Sequence, residues 1–77
     1  MEIYLQLYSI LREMLPKEAK GKAVLQLKED ATLADLLTEI GIERRVVISV
    51  NGAHETDKSR ALKDGDNVKI FSSISGG

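Results

Sequence analysis

A two-layer α+β domain, with one helix laid across one face of a mixed β-sheet, is the fold class this sequence predicts. Three observations lead there. The stretches 2–8, 22–28, 46–50 and 67–71 alternate in polarity or run in β-branched residues, the mark of half-buried strands. Only 33–40 carries an apolar stripe of helical period, which suits a helix packed on one side. The chain has 77 residues, 43% apolar and 30% charged, enough for one small globular core and no more. One helix covers one sheet face, so the opposite face is left uncovered.

The elements follow in order. In strand 2–8, Ile3, Leu5 and Leu7 face one way, and Glu2, Tyr4, Gln6 and Tyr8 the other. Ser9 to Leu15 is expected to make a short helical turn, with Ser9 as its N-cap and Pro16 as its stop. Lys17 to Gly21 is polar and ends in glycine, so it reads as a loop. In strand 22–28, Ala23, Leu25 and Leu27 oppose Lys22, Val24, Gln26 and Lys28. Thr32 is a good N-cap, and Asp35 three residues on makes a variant capping box. Leu33, Leu36, Leu37 and Ile40 then recur at i, i+3, i+4 and i+7. Gly41 supplies a left-handed C-cap, with Ile42 placed to fold back on the last turn. Val46 to Val50 is a β-branched third strand, and Asn51-Gly52 is a turn dipeptide. Ala53 to Asp57 is expected as a short fourth strand. Residues 58–63 are expected to be irregular, with Ala61 and Leu62 dipping inward. Asp64-Gly65-Asp66 is another turn, and 67–71 is the last strand. The predicted core is Ile3, Leu5, Leu7, Leu25, Leu27, Leu33, Leu36, Leu37, Ile40, Val46, Ile48, Val50, Leu62, Val68 and Ile70.

Composition excludes several functions. Without cysteine there is no disulfide, no thiol catalysis and no thiolate metal site. His54, the lone histidine, stands beside Asn51-Gly52 with no second ligand or nucleophile paired to it, so it reads as an exposed turn residue and not a metal or catalytic group. The net charge is −1 with the signs interspersed, and no RNA-binding aromatic motif is visible, so no nucleic-acid partner is expected. The apolar runs fall far short of a membrane span and no signal peptide is visible; the expectation is a cytoplasmic protein without membrane contact. A self-contained enzyme is not expected. Arg44-Arg45 and the Lys63–Asp66 cluster read either as docking charges or as solvated faces and turns.

Against that background the end of the chain stands out. Ser72-Ser73-Ile74-Ser75-Gly76-Gly77 follows the last strand and runs through small residues to a double glycine. The expected organisation is a domain over 1–73 and a flexible tail over 74–77. A carboxylate is a poor electrophile and needs a partner to activate it. Two glycines without Cβ atoms leave room for that partner's groups and accept backbone angles closed to other residues. A frayed end without function is the alternative. Tyr4, Tyr8 and Phe71, all the aromatics of the chain, fall on the uncovered face by parity. They read as a docking patch near the tail or as ordinary exposure.

Several of these stretches match one family. Leu62-Lys63-Asp64-Gly65-Asp66-Asn67-Val68 followed by Ser75-Gly76-Gly77 resembles the turn, strand and tail of the β-grasp, ubiquitin-like sulfur carriers of the MoaD/ThiS type. Val50-Asn51-Gly52 matches their third strand. Leu7-Tyr8-Ser9-Ile10-Leu11-Arg12-Glu13 resembles a segment of the molybdopterin synthase small subunit, MoaD; carriers for thiazole synthesis tend to lack the short helix there. Two departures stand: Ser72-Ser73 replaces the Pro-Pro usual before the tail, and Tyr8-Ser9 replaces an aromatic-Ala pair.

The resemblance implies a β-grasp fold and a carrier that is not itself an enzyme. An E1-like adenylating enzyme (MoeB/ThiF-type), using ATP and magnesium, would convert the Gly77 carboxylate to an acyl-adenylate. A persulfide would then leave a thiocarboxylate. The receiving enzyme would be the molybdopterin synthase large subunit (MoaE-type) or another sulfur acceptor. Gly77 would bear the reactive group and Gly76 give clearance, while Phe71, Ser73, Ile74, Ser75 and Tyr8 would line the partner interface. No cofactor or metal bound by the chain itself is implied. Within the resemblance stand carriers for thiamine thiazole synthesis or tRNA thiolation and a ubiquitin-like modifier; outside it stands a β-grasp binding module with an inert tail.

Overall fold

The computed structural model describes residues 1–72. Strand β1 (Glu2–Leu7) is followed by two 3-10 helices, Ser9–Met14 and Lys17–Ala19, and by β2 (Lys22–Gln26). Helix α1 (Leu33–Ile40), β3 (Val46–Val50), β4 (Ala53–Glu55) and β5 (Asn67–Ser72) complete the order. The five strands form one sheet in the order β2-β1-β5-β3-β4. β1 runs antiparallel to β2 and parallel to β5; β3 runs antiparallel to both β5 and β4. The sheet is mixed, one main helix packs on it, and the expected β-grasp architecture is the one found.

Alternation decides the faces. Ile3, Leu5, Leu7, Ile48, Val50, Val68 and Ile70 are all buried, and Leu33, Leu36 and Leu37 of α1 join them in one core. Leu25, Leu27, Ile40 and Val46, expected inside, are only partly buried against that core. Leu25 belongs to the edge strand β2, which has a neighbour on one side only. Leu11, Ala31 and Ile42 are buried instead. Leu11 is there because the 3-10 helix folds over the end of the sheet beside β5.

The caps of α1 are those its sequence specifies. Thr32 Oγ1 accepts the Asp35 N–H at 3.2 Å, and Asp35 Oδ2 accepts the Thr32 N–H at 2.9 Å, a reciprocal capping box. The next two helical N–H groups donate outward, Leu33 to the Arg60 carbonyl and Ala34 to the Lys58 carbonyl. The segment after β4, irregular as expected, thus satisfies the open end of the helix. At the other end Gly41 has φ +88°. Its N–H reaches the Thr38 carbonyl while the Ile42 N–H reaches the Leu37 carbonyl, a Schellman closure that draws Ile42 inside.

Local corrections concern boundaries. Tyr8 leaves β1: its N–H still donates to the Ile70 carbonyl, but its own carbonyl accepts the Leu11 N–H and starts the 3-10 helix. Tyr8, extended and without a side-chain bond, holds the cap position. Ser9 is therefore not the N-cap; it sits at φ +54° just inside. Lys17–Ala19 forms a 3-10 turn within the expected loop. β2 ends at Gln26, short of Lys28, and β4 at Glu55, short of Asp57, while β5 gains Ser72.

The turn at Lys63–Asp66 is tied to two other segments. Asp64 Oδ1 accepts the Glu2 N–H at 2.7 Å, and the Gly65 N–H donates to the Glu2 carbonyl. Asp66 is buried; its Oδ1 accepts from Asn51 Nδ2 and its Oδ2 from the Lys63 N–H, each at 2.9 Å. Asn51 Oδ1 in turn accepts the Asn67 N–H. A buried carboxylate without such donors would be costly. Asn51 and Gly52, at φ +52° and +87°, make the tight turn that joins β3 to β4.

Candidate functional site

β5 is the element from which the tail departs, and it lies between β1 and β3. Its alternation turns Val68 and Ile70 into the core and Phe71 to the uncovered face. The parallel register sets Leu7 beside Ile70, so Tyr8 lies beside Phe71. Their rings stack with centroids 4.4 Å apart and planes 12° from parallel. Both are half-buried. On the other flank Val47 is the Cα partner of Phe71 and is 39% exposed. Tyr8, just past the end of β1, Phe71 on β5 and Val47 on β3 therefore form a row across the end of the sheet where the described chain stops. Ser72, the last described residue, is held by pairing with Val46.

The third aromatic is elsewhere. Tyr4 pairs with Asn67 in β5, four residues before Phe71, or about 13 Å along the strand. Its hydroxyl donates to Glu2 Oε1 at 3.0 Å, and that carboxylate holds the phenol above its ordinary value. Tyr4 and its cross-strand partner Val24 make a separate exposed apolar spot. The structure brings Tyr8 and Phe71 together and leaves Tyr4 apart. Ser73, Ile74, Ser75, Gly76 and Gly77, and with them the expected flexible tail, lie outside the described residues.

The charged candidates divide. Asp64 and Asp66 of the Lys63–Asp66 cluster are committed to backbone and Asn51 donors, so they hold the fold. Arg44 and Arg45 are exposed and directly precede Val46, next to the end of β5. His54 is exposed on β4. Among the described residues no three acidic, histidine or cysteine side chains gather as a metal site, and no helix is long and apolar enough to cross a membrane. The geometry amounts to a rigid platform with an aromatic step beside the tail's point of departure.

Two features were not readable in the sequence. Val47 joins the aromatic row only through the β3–β5 register, which no local pattern encodes. Ile10 and Met14 are 45% and 41% exposed on the 3-10 helix. Of the apolar residues in that element only Leu11 is buried.

Comparison with known proteins adds the following. The model of the ThiS family matches residues 6–77. No curated protein matches the sequence. The fold is similar to that of SAMP1 from Haloferax volcanii, with TM-score 0.76 and 19% identity over all of both chains. It is similar to the HVO 2177 protein of the same organism, with TM-score 0.80 and 24% identity over 100% of this chain and 87% of that one. It is also similar to a chain in the complex of subunits 1 and 2 of molybdopterin-converting factor from Helicobacter pylori, with TM-score 0.68 and 15% identity over all of both chains.

Proposed function

The chain belongs to the ThiS family of ubiquitin-like sulfur carriers, and on that premise we propose that Gly77 is charged with sulfur and delivers it in molybdopterin biosynthesis. The observation that carries the proposal is the family match through residue 77, joined to a platform whose central strand leads directly into the tail. The Gly77 carboxylate attacks the α-phosphorus of ATP on an adenylating enzyme, expelling pyrophosphate as its magnesium complex. A persulfide sulfur then attacks the acyl carbon and expels AMP. Reduction of the resulting acyl disulfide by a thiol releases the thiocarboxylate. The carrier supplies no activating charge; those groups belong to the partners. Its own contributions are a rigid handle and, at Gly76, clearance for the approach. Small carriers of this kind act as subunits or co-substrates and not as enzymes.

Two observations support the molybdopterin pathway over thiazole synthesis or tRNA thiolation. The segment resembling the molybdopterin synthase small subunit forms a short helix, Ser9–Met14. A chain in the complex of subunits 1 and 2 of molybdopterin-converting factor has the same fold, and the acceptor in this proposal is a large-subunit partner of that kind. Phe71 and Tyr8, with Ser73, Ile74 and Ser75, form the interface to it.

The proposal is tested by intact mass spectrometry after reaction with the adenylating enzyme of the same genome, ATP, magnesium and a sulfur donor. The expected product carries sulfur in place of one oxygen at Gly77. One residue added after Gly77 is expected to abolish transfer while the amide spectrum of the domain stays unchanged. Transfer from the extended chain would sink the terminal-carboxylate mechanism. Ladders of lysine conjugates in extract would assign the chain to ubiquitin-like modifiers instead, a reading favoured by the fold shared with a solved structure of small archaeal modifier protein 1 of Haloferax volcanii.

A further inference from the structure

Beside the aromatic row lies an open concavity of about 440 Å³ between the 3-10 helix and the turn that leads into β2. Arg12, Lys17 and Lys20 line it, with Glu13 as the one acidic group and Leu15, Pro16 and Gly21 among its other walls. The three cations are exposed. Among the described residues the one ion pair is Arg60–Glu55 at 3.3 Å, so none of the three is in a salt bridge with a described carboxylate. Residues 9–22 hold four cations against two carboxylates, a local +2 that leaves −3 on the rest of a chain of net −1. Lys58, Arg60 and Lys63 make a second positive run over 58–63, but it is Arg12, Lys17 and Lys20 that line this concavity.

The backbone ties the end of that segment to β1. The Leu7 N–H donates to the Gly21 carbonyl at 2.7 Å. Gly21 has φ +81°, and a Cβ there would stand 2.6 Å from the Leu7 oxygen and 3.0 Å from Arg12 Cγ, so the Arg12 stem lies close over bare backbone. Lys20 is itself left-handed at φ +54°. Leu7 pairs with Ile70, which sets the concavity at the same end of the sheet as Tyr8, Phe71 and the departing tail.

We infer that this concavity receives an acidic segment of the adenylating enzyme; the inference rests on the carrier function proposed above. Charges spread over three long, exposed side chains suit carboxylates strung along a peptide. They do not suit a compact phosphate, which needs converging backbone N–H groups or buried donors; the one buried polar side chain of the described residues is Asp66, far along the sheet. Exposed complementary charge speeds encounter and adds little to residence. That behaviour fits an activating enzyme which must release each charged carrier to a different protein.

The test is titration calorimetry of the full chain against the adenylating enzyme of the same genome, at low and moderate salt. Arg12→Glu/Lys17→Glu/Lys20→Glu is expected to raise Kd at least tenfold at low salt and to flatten its salt dependence. The matched reversal Lys28→Glu/Lys58→Glu/Lys63→Glu is expected to change Kd less than twofold. Amide spectra of both variants establish that the fold persists. Equal effects of the two reversals, or competition by inorganic phosphate at constant ionic strength, would overturn the inference. Sulfur incorporation into the unmodified chain is read in parallel. Selective loss of binding in the first variant supports the docking whether or not sulfur is incorporated, so docking and carrier function fail separately.

Discussion

Asp35 closes the capping box of α1, and its ionisation is linked to that role. The Thr32 backbone N–H, and then its hydroxyl, hold the carboxylate below its ordinary value of 3.8. A carboxyl lowered by folding contributes stability above its unfolded value and loses it as pH falls through the folded one. Urea midpoints measured from pH 7 to pH 3 are therefore expected to fall on acidification for the parent chain. Asp35→Asn is expected to lie below the parent at pH 7, with the gap closing toward pH 3; a constant gap would mean that the charge of Asp35 is irrelevant. Asp57, lowered by the Ser59 hydroxyl and N–H, adds to the slope in the same direction. At this scale the sequence was legible where the partner is close along the chain. Thr32 with Asp35, and Gly41 with Ile42, are such cases. Asn51 was legible only as a turn former. Its side chain bridges Asp66 and Asn67, 15 and 16 residues away, and local spacing carries no signal for that. The same bridge gives the Asp-Gly-Asp stretch a structural role where docking was one of the two expectations.

Among the elements, β5 and the 3-10 helix matter most for the site. β5 was predicted almost to the residue, because Asn67 to Phe71 alternates between turn residues and small residues. The sequence reads the helix as a short turn, but the cap falls on Tyr8 and not on Ser9, which takes a left-handed angle that local propensity disfavours. Stacking across the parallel β1–β5 pair follows from register and was not readable. It carries a prediction. Phe71→Ala is expected to lower stability by about 1–2 kcal/mol, from lost half-buried area and lost stacking. It is also expected to weaken binding to the large-subunit acceptor several-fold, whereas Phe71→Tyr keeps both. Denaturant midpoints and calorimetric Kd values check the two effects; unchanged binding by Phe71→Ala would remove the aromatic row from the interface.

For the whole molecule, the number and type of elements were legible because each segment's period is clear. The strand order was not, since periodicity does not say which strands become neighbours. β1 and β5, nearly the whole chain apart, pair in parallel at the middle of the sheet. The domain therefore cannot close until its last strand arrives. Ending the chain after Asp66 removes Val68 and Ile70, both wholly buried, and strips one neighbour from each of β1 and β3. The expected result is the loss of any cooperative unfolding transition by circular dichroism; a sharp transition in the shortened chain would show that the core is complete without β5.

The central place of β5 also governs how the carrier withstands a tug. Force applied to the tail passes into β5 along its length and is opposed by two ladders, on β1 and on β3, loaded in shear. Those hydrogen bonds must rupture together rather than unzip one by one, which raises the kinetic barrier to forced unfolding. Under the function proposed above, an enzyme would grip the last residues, work on them and let go, and the domain behind them would stay whole for the next round.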